Sequence, residues 1–339
     1  MANRLIEIYI PEIFSAKVSD ILEAHDQKNI WRETVKDEIL HIQILTSTDQ
    51  SQAILDLMGK HFSGVEGFKI IILPVSASLP QADDEEKEKN ETQKTKLKKG
   101  IKKNTITREE LYEDIKSRMQ LNWVFVILVL LSSIVAAVGL LKDNVAVVIG
   151  AMVIAPLLGP NVGLALSTTL ADYDLGKKAL LSNIVAIAIG FAFSVILGLL
   201  VDVDPSINEI FSRTEVGFGD IALALASGSA GALALTTGIS TALVGVMVAV
   251  ALLPPLVVLG LLIGSGNFDY AWGAFLLLLT NLISVNLAGV VTFWARGIRP
   301  RSWWEANRAK KASRTAIIFW LILIILLCVV IVISRTDIL

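Results

Sequence analysis

The sequence is poor in cysteine, histidine and charge. One cysteine in 339 residues, Cys328, excludes an internal disulfide framework and any cysteine-based metal cluster. The histidines are His25, His41 and His61, without the spacing of a ligand set, so no metal centre is predicted. Asp, Glu, Lys and Arg make up only 18% of the chain, too few for the surface of a soluble protein of this size. There is no His-x-x-x-His pair, no glycine-rich phosphate loop with a lysine, and no serine with a basic partner. An enzyme is therefore not expected, and no cofactor is named. The net charge of −2 averages over unlike parts, and no nucleic-acid partner is expected. The opening MANRLIEIYIPEIFSAKVSD lacks the apolar core of a signal peptide, so cleavage or export of this end is not expected.

What is abundant is apolar. Hydrophobic residues make up 54% and the mean hydropathy is +0.64, which points to an integral membrane protein. The excess is lopsided: residues 1 to 120 read as a soluble region, and the rest is mostly lipid-soluble. In the first 80 residues, strand-like Leu5–Ile10 precedes a helix over Ile13–Gln27. A hairpin of Ile30–Val35 and Ile39–Thr46 turns at Lys36-Asp37. Ser47-Thr48-Asp49 caps a second helix carrying Ile54, Leu55, Leu57 and Met58, and Phe68–Val75 is a last strand. The order β-α-β-β-α-β predicts an α+β ferredoxin-like domain. Residues 81–104 read as a solvated linker, acidic at Asp83–Glu86 and basic at Lys94–Lys103, the latter suited to anionic lipid headgroups. Thr107-Arg108-Glu109-Glu110 is a capping-box signature that starts an amphipathic juxtamembrane helix within 105–120.

The transmembrane domain, 121–339, divides into seven predicted spans: Trp123–Leu141, Val145–Leu170, Ala179–Val201, Ile221–Thr237, Ser240–Ile263, Tyr270–Ala295 and Ile317–Ser334. Ile221–Ile263 is split at Thr236–Ser240, and a re-entrant hairpin there stays open as an alternative to two full spans. The loop Arg296–Arg314 and the segment before the first span are basic, whereas the loop with Asp202, Asp204, Glu209, Glu215 and Asp220 is acidic. By the charge rule the amino terminus lies inside and, with seven spans, the carboxyl terminus outside. The basic loop Arg296–Arg314 is a second candidate contact for anionic headgroups.

The membrane part repeats itself. A shift of 95 residues lays Leu128–Asp174 on Leu223–Asp269 without a gap. GAMVIAPLLGP from Gly150 meets GVMVAVALLPP from Gly245, so Pro160 aligns with Pro255 and Ser132 with Ser227. With a small insertion, Asn183 meets Asn281. Each copy (123–201 and 221–295) holds three spans, an odd number, so the architecture predicted is a 3+3 inverted repeat plus one final span (317–334), a plan used by secondary transporters. Pro156 and Pro160 in the second span, and Pro254 and Pro255 in the fifth, predict matched helix breaks, because proline lacks the N–H and clashes with the preceding turn. The candidate substrate path is Pro156, Gly159, Pro160, Asn161, Asn183, Ser227, Gly228, Ser229, Pro254, Pro255 and Asn281. For Asn183 and Asn281, helix-to-helix bonds come first and substrate contacts second. No span core carries Asp, Glu, Lys, Arg or His, which argues against a buried-carboxylate proton relay.

TREELYEDI (107–115) followed by LSSIVAAVGLLKDNVAVVIGAMVIAPLLGPNVGLAL (131–166) resembles the bacterial and archaeal membrane family called domain of unknown function 389, over about residues 105 to 260. The resemblance implies a prokaryotic inner-membrane protein and supplies no activity. The function expected is a transporter or channel-like protein for a small ion or neutral solute, with a cytosolic domain that regulates it or holds a homo-oligomer together. The alternative is a non-transporting sensor or scaffold whose soluble domain binds a ligand or partner.

Overall fold

The computed structural model describes residues 3–23, 30–35, 38–75, 106–237, 241–298, 318, 320–326, 328 and 329. The linker with Lys94–Lys103, His25, the Lys36-Asp37 turn, the split at Gly238–Ser240, the loop from Arg299 to Arg314 and most of the final span lie outside them. The chain forms two compact units, Met1–Arg108 and Glu109–Leu339.

The first unit runs β1 (Asn3–Pro11), a 3-10 turn (Glu12–Phe14), α1 (Ser15–Glu23), β2 (Ile30–Val35), β3 (Ile39–Ser47), α2 (Thr48–Phe62) and β4 (Lys69–Val75). The four strands form one sheet in the order β2-β3-β1-β4, every pair antiparallel. Strand residues alternate between faces. Ile6, Ile8 and Ile10 of β1 and Leu40, Ile42 and Ile44 of β3 therefore share one buried core with Val18 and Leu22 of α1 and Ile54, Met58 and Phe62 of α2. On the opposite face Tyr9 stacks on His41 (centroids 4.5 Å apart), and the Tyr9 hydroxyl and the Gln43 amide donate to the Glu7 carboxylate at 3.2 and 3.1 Å. The expected cap of α2 is corrected. Ser47 stands at the N-cap without a side-chain cap bond, and Thr46 donates its hydroxyl to Gln50 Oε1 at 2.8 Å instead.

The second unit is helical: α3 (Arg108–Arg118, whose first residue belongs to the first unit), α4 (Trp123–Leu141), α5 (Val145–Ile154), α6 (Leu158–Leu170), α7 (Tyr173–Leu200), the single turn α8 (Asn208–Phe211), α9 (Phe218–Thr237), α10 (Thr241–Gly264) and α11 (Phe268–Ala295). By length and composition α4, α7, α9 and α11 can each cross a membrane, and α5 with α6 adds a fifth span if the bent pair counts as one. In α10 the described apolar helix is shorter, Val248–Gly264. Among the described residues there are thus four or five candidate spans where seven are expected, and α9 is long enough to cross. Of the four full-length candidate spans α11 is the most buried, with 78% of its apolar window buried against 28 to 44% for the other three.

Polar side chains set the helix starts. Asn122 accepts from the Phe125 N–H at 2.7 Å, Asn144 from Val147 at 3.2 Å and Asp172 from Leu175 at 3.0 Å. Glycine sets the crossings. A Cβ on Gly198 would strike the Leu261 carbonyl, and one on Gly264 the Val195 carbonyl, so α7 and α10 touch backbone to backbone. Gly228 of α9 lies in the same way against Val285 of α11. The repeat-matched Gly150 and Gly245 face open space, and nothing in the structure explains them. Alanine at Gly150 or Gly245 is expected to be neutral or to stabilise by up to about 1 kcal/mol through helix propensity. Alanine at Gly198 or Gly264 is expected to destabilise by about 1–3 kcal/mol through overpacking. Thermal melting in detergent checks both.

α3 packs into the second unit with Leu111, Ile115 and Met119 fully buried. The Tyr112 hydroxyl donates to Asp172 Oδ2 at 2.9 Å, at the start of α7. Burial first, and then that bond, push the Tyr112 phenol from 10.0 up to about 12. A raised phenol stabilises the folded state fully below its ordinary value, and that contribution is lost as pH rises toward about 12. An absorbance titration is expected to show one tyrosine ionising near pH 12 that Tyr112→Phe removes. Asp172→Asn is expected to lower it only in part, because burial is the larger cause.

Candidate functional site

The span 145–170 is broken, with its halves bent by 55° at Ala155–Leu157. The cause is local. Proline pushes the residue before it into extended backbone, and Ala155 has ψ 123°. Pro156 has no N–H for the carbonyl of Met152, and Pro160 has none for that of Pro156. At Gly159 a Cβ would stand 2.6 Å from the Arg118 carbonyl oxygen, so the start of α6 admits only glycine without displacement of α3.

Three asparagines form a chain at this break. Asn161 Nδ2 donates to the Leu157 carbonyl at 2.9 Å and to Asn183 Oδ1 of α7 at 3.1 Å. Asn286 Nδ2 of α11 donates to Asn161 Oδ1 at 3.3 Å and to the Leu282 carbonyl at 2.9 Å. Asn161, Asn183 and Asn286 are 1%, 4% and 1% exposed, so the chain is buried. It is also directional. Asn183 Nδ2 at one end has no acceptor, and Asn286 Oδ1 at the other has no donor. A buried amide left open in this way costs about 1–3 kcal/mol, so each open end marks a place where a partner would be favourable.

The second copy differs, and one expectation is overturned. Pro254 and Pro255 do not break their span, because α10 runs continuously from Thr241 to Gly264. A bond from the neighbouring helix covers one of the two carbonyls that the prolines free. Asn281 Nδ2 of α11 donates to the Ala251 carbonyl at 2.7 Å. Ala251 lies four residues before Pro255, so its carbonyl is the one that proline leaves without a donor. The side-chain amide replaces the missing N–H.

The remaining path residues scatter. Ser227 and Gly228 are buried against α11, where the close approach is made by backbone and not by a ligand. Ser229 is only half-buried. Most hydroxyls return to their own helix, as Ser132 and Ser133 do to the Val129 carbonyl at 2.9 and 2.8 Å. Ser284 is fully buried, and its hydroxyl is without a partner. Asn286 and Ser284 are the site residues that the candidate path leaves out. Neither has a counterpart in the repeat alignment, and only their three- and five-residue distance from Asn281 along α11 signals them. His41 lies on the sheet, and His61 Nδ1 is 2.9 Å from the Leu57 carbonyl.

A relative from Methanocaldococcus jannaschii, an uncharacterized protein, is 36% identical over 333 residues, covering 98% of this chain and 99% of the relative. Residues 152–287 match the profile described as Domain of unknown function (DUF389). The chain belongs to that DUF389 family. No solved structure matches it. The matched region of this DUF389 protein contains the break, Asn161, Asn183, Asn281 and Asn286.

If Asn281 serves the carbonyl opposite Pro255, removing both partners should not be additive. Asn281→Leu is expected to destabilise the protein in detergent by about 1–3 kcal/mol. With alanine at position 255, whose N–H can pair with Ala251, the same change is expected to cost at least ~0.5 kcal/mol less. Strict additivity in the double-mutant cycle would show that the amide does not serve that carbonyl.

Proposed function

We propose that this protein is a transporter or channel-like membrane protein for a small ion or neutral solute. The observation that carries the reading is the open-ended asparagine chain at a broken span, buried and without a charged partner. Broken helices whose polar groups face the meeting of two repeats are how many secondary transporters hold a substrate. Helix packing supports an inverted 3+3 repeat. The third helix of each copy (α7, α11) is 28 residues long and packs on the second helix of the other (α10, α6). The basic segments Lys94–Lys103 and Arg296–Arg314 fit an inner-face location against anionic headgroups, in a prokaryotic inner membrane with the amino terminus inside. No covalent chemistry is assigned to the chain.

The strand order of the first unit fits a ferredoxin-like fold, with its helices on one face. Its role is regulation or the holding of a homo-oligomer. The second reading, a sensor or scaffold, is favoured by the outer part of the sheet, where Trp31, Val35 and Leu73 are 54%, 44% and 41% exposed.

Purified protein in liposomes is expected to move at least one member of a panel of inorganic ions and small neutral solutes faster than empty vesicles. Movement of none would leave the scaffold reading. A reporter fused after Leu339 is expected outside and one near Arg301 inside. Two inside signals would refute the inversion.

A further inference from the structure

The two copies of the repeat present one device in two conditions. In the second copy, Asn281 Nδ2 covers the carbonyl of Ala251, which Pro255 leaves without its donor. In the first copy, alignment puts Asn183 in the place of Asn281, Pro160 in that of Pro255 and Pro156 in that of Ala251. The equivalent bond would run from Asn183 Nδ2 to the carbonyl of Pro156. It is not made. Asn183 turns its oxygen to Asn161 at 3.1 Å, and its Nδ2 is left buried and without a partner.

We infer that this place holds the solute, and that the solute is uncharged and both accepts and donates hydrogen bonds. The inference rests on the transport reading and narrows it. The two protein groups set the requirement. Asn183 Nδ2 can only donate, so what meets it must accept. The carbonyl of Pro156 can only accept, and Pro160 has no N–H to give it, so what meets it must donate. A metal cation cannot accept and a halide cannot donate. A hydroxyl, a primary amide or a urea does both. The surroundings agree. In the described spans, charged residues stand only in the first two turns of α7, α9 and α11, at Asp174, Lys177, Lys178, Asp220 and Asp269. An ion at the break would have no counter-charge, which is expensive at bilayer depth. The open acceptor Asn286 Oδ1, reached through Asn161, gives such a solute a second donor-seeking group.

The test uses the full chain in liposomes. Stopped-flow light scattering follows glycerol, urea and formamide, and dye assays follow potassium, sodium and chloride. At least one neutral solute is expected to cross faster than in empty vesicles, with no ion flux above background. Asn183→Leu is expected to cut that flux by about tenfold or more, the equivalent of one lost hydrogen bond, while Asn281→Leu cuts it less. Asn183→Thr keeps a hydroxyl and covers the case in which the leucine variant fails to fold; its flux is expected between leucine and wild type. Ion flux without neutral flux would overturn the solute class and leave transport standing. Neutral flux at the wild-type rate in both Asn183 variants would overturn the site. No flux of any kind would overturn the transport reading itself.

Discussion

A carbonyl buried away from water must have a donor, and a proline in a helix removes one. The second unit is organised around that constraint. Two stretches each carry a proline pair, Pro156 with Pro160 and Pro254 with Pro255, and they meet the shortage in different ways. At α10 a neighbouring helix lends an amide, and the helix stays whole. At Ala155–Leu157 the helix opens by 55°, and a chain of three amides gathers at the opening. Both solutions need α11, because Asn281 and Asn286 stand on it five residues apart and face different neighbours.

This fits the deep burial of α11 and the small residues at its closest contacts. To reach the carbonyl of Ala251 and the amide of Asn161 at once, its backbone must come close on two sides. Gly289 meets Ala165 of α6 with room for no Cβ, and Gly228 of α9 gives way to Val285 on another face. Close packing in a membrane gains little from hydrophobicity, since lipid is as apolar as leucine. Dispersion and hydrogen bonds hold the helices together instead. The glycines and asparagines are thus parts of one arrangement.

Much of this was legible in the residues, and the limits are physical. Alternation of isoleucines in β1 and β3 placed the soluble core, because a one-residue slip would expose every one of them. The break at Pro156 was legible because proline acts on its immediate neighbours. The continuity of α10 was not, because its cause, Asn281, lies 26 residues beyond Pro255 and acts through space. The alignment paired Asn281 with Asn183 but could not say that one amide would be used and the other left open. Asn286 was missed for a related reason: a lone asparagine in an apolar helix carries no sign of which neighbour it faces. The cap of α2 failed on a smaller scale, since Thr46 and Gln50 offered a competing local bond.

The difference between the copies carries the most weight for function. The two stretches share one aligned proline, Pro160 with Pro255, and one aligned asparagine, Asn183 with Asn281, but Pro156 stands where the other has Ala251 and Asn161 where it has Leu256. One has its donor satisfied and the other leaves a buried amide open at about 1–3 kcal/mol. A fold that needed only rigidity could close that amide with the replacement it already uses in its second copy. The proposed solute would supply the missing partner for part of the time. A group that both accepts and donates can do so, and it can leave again because each of its bonds is worth little more than a bond to water.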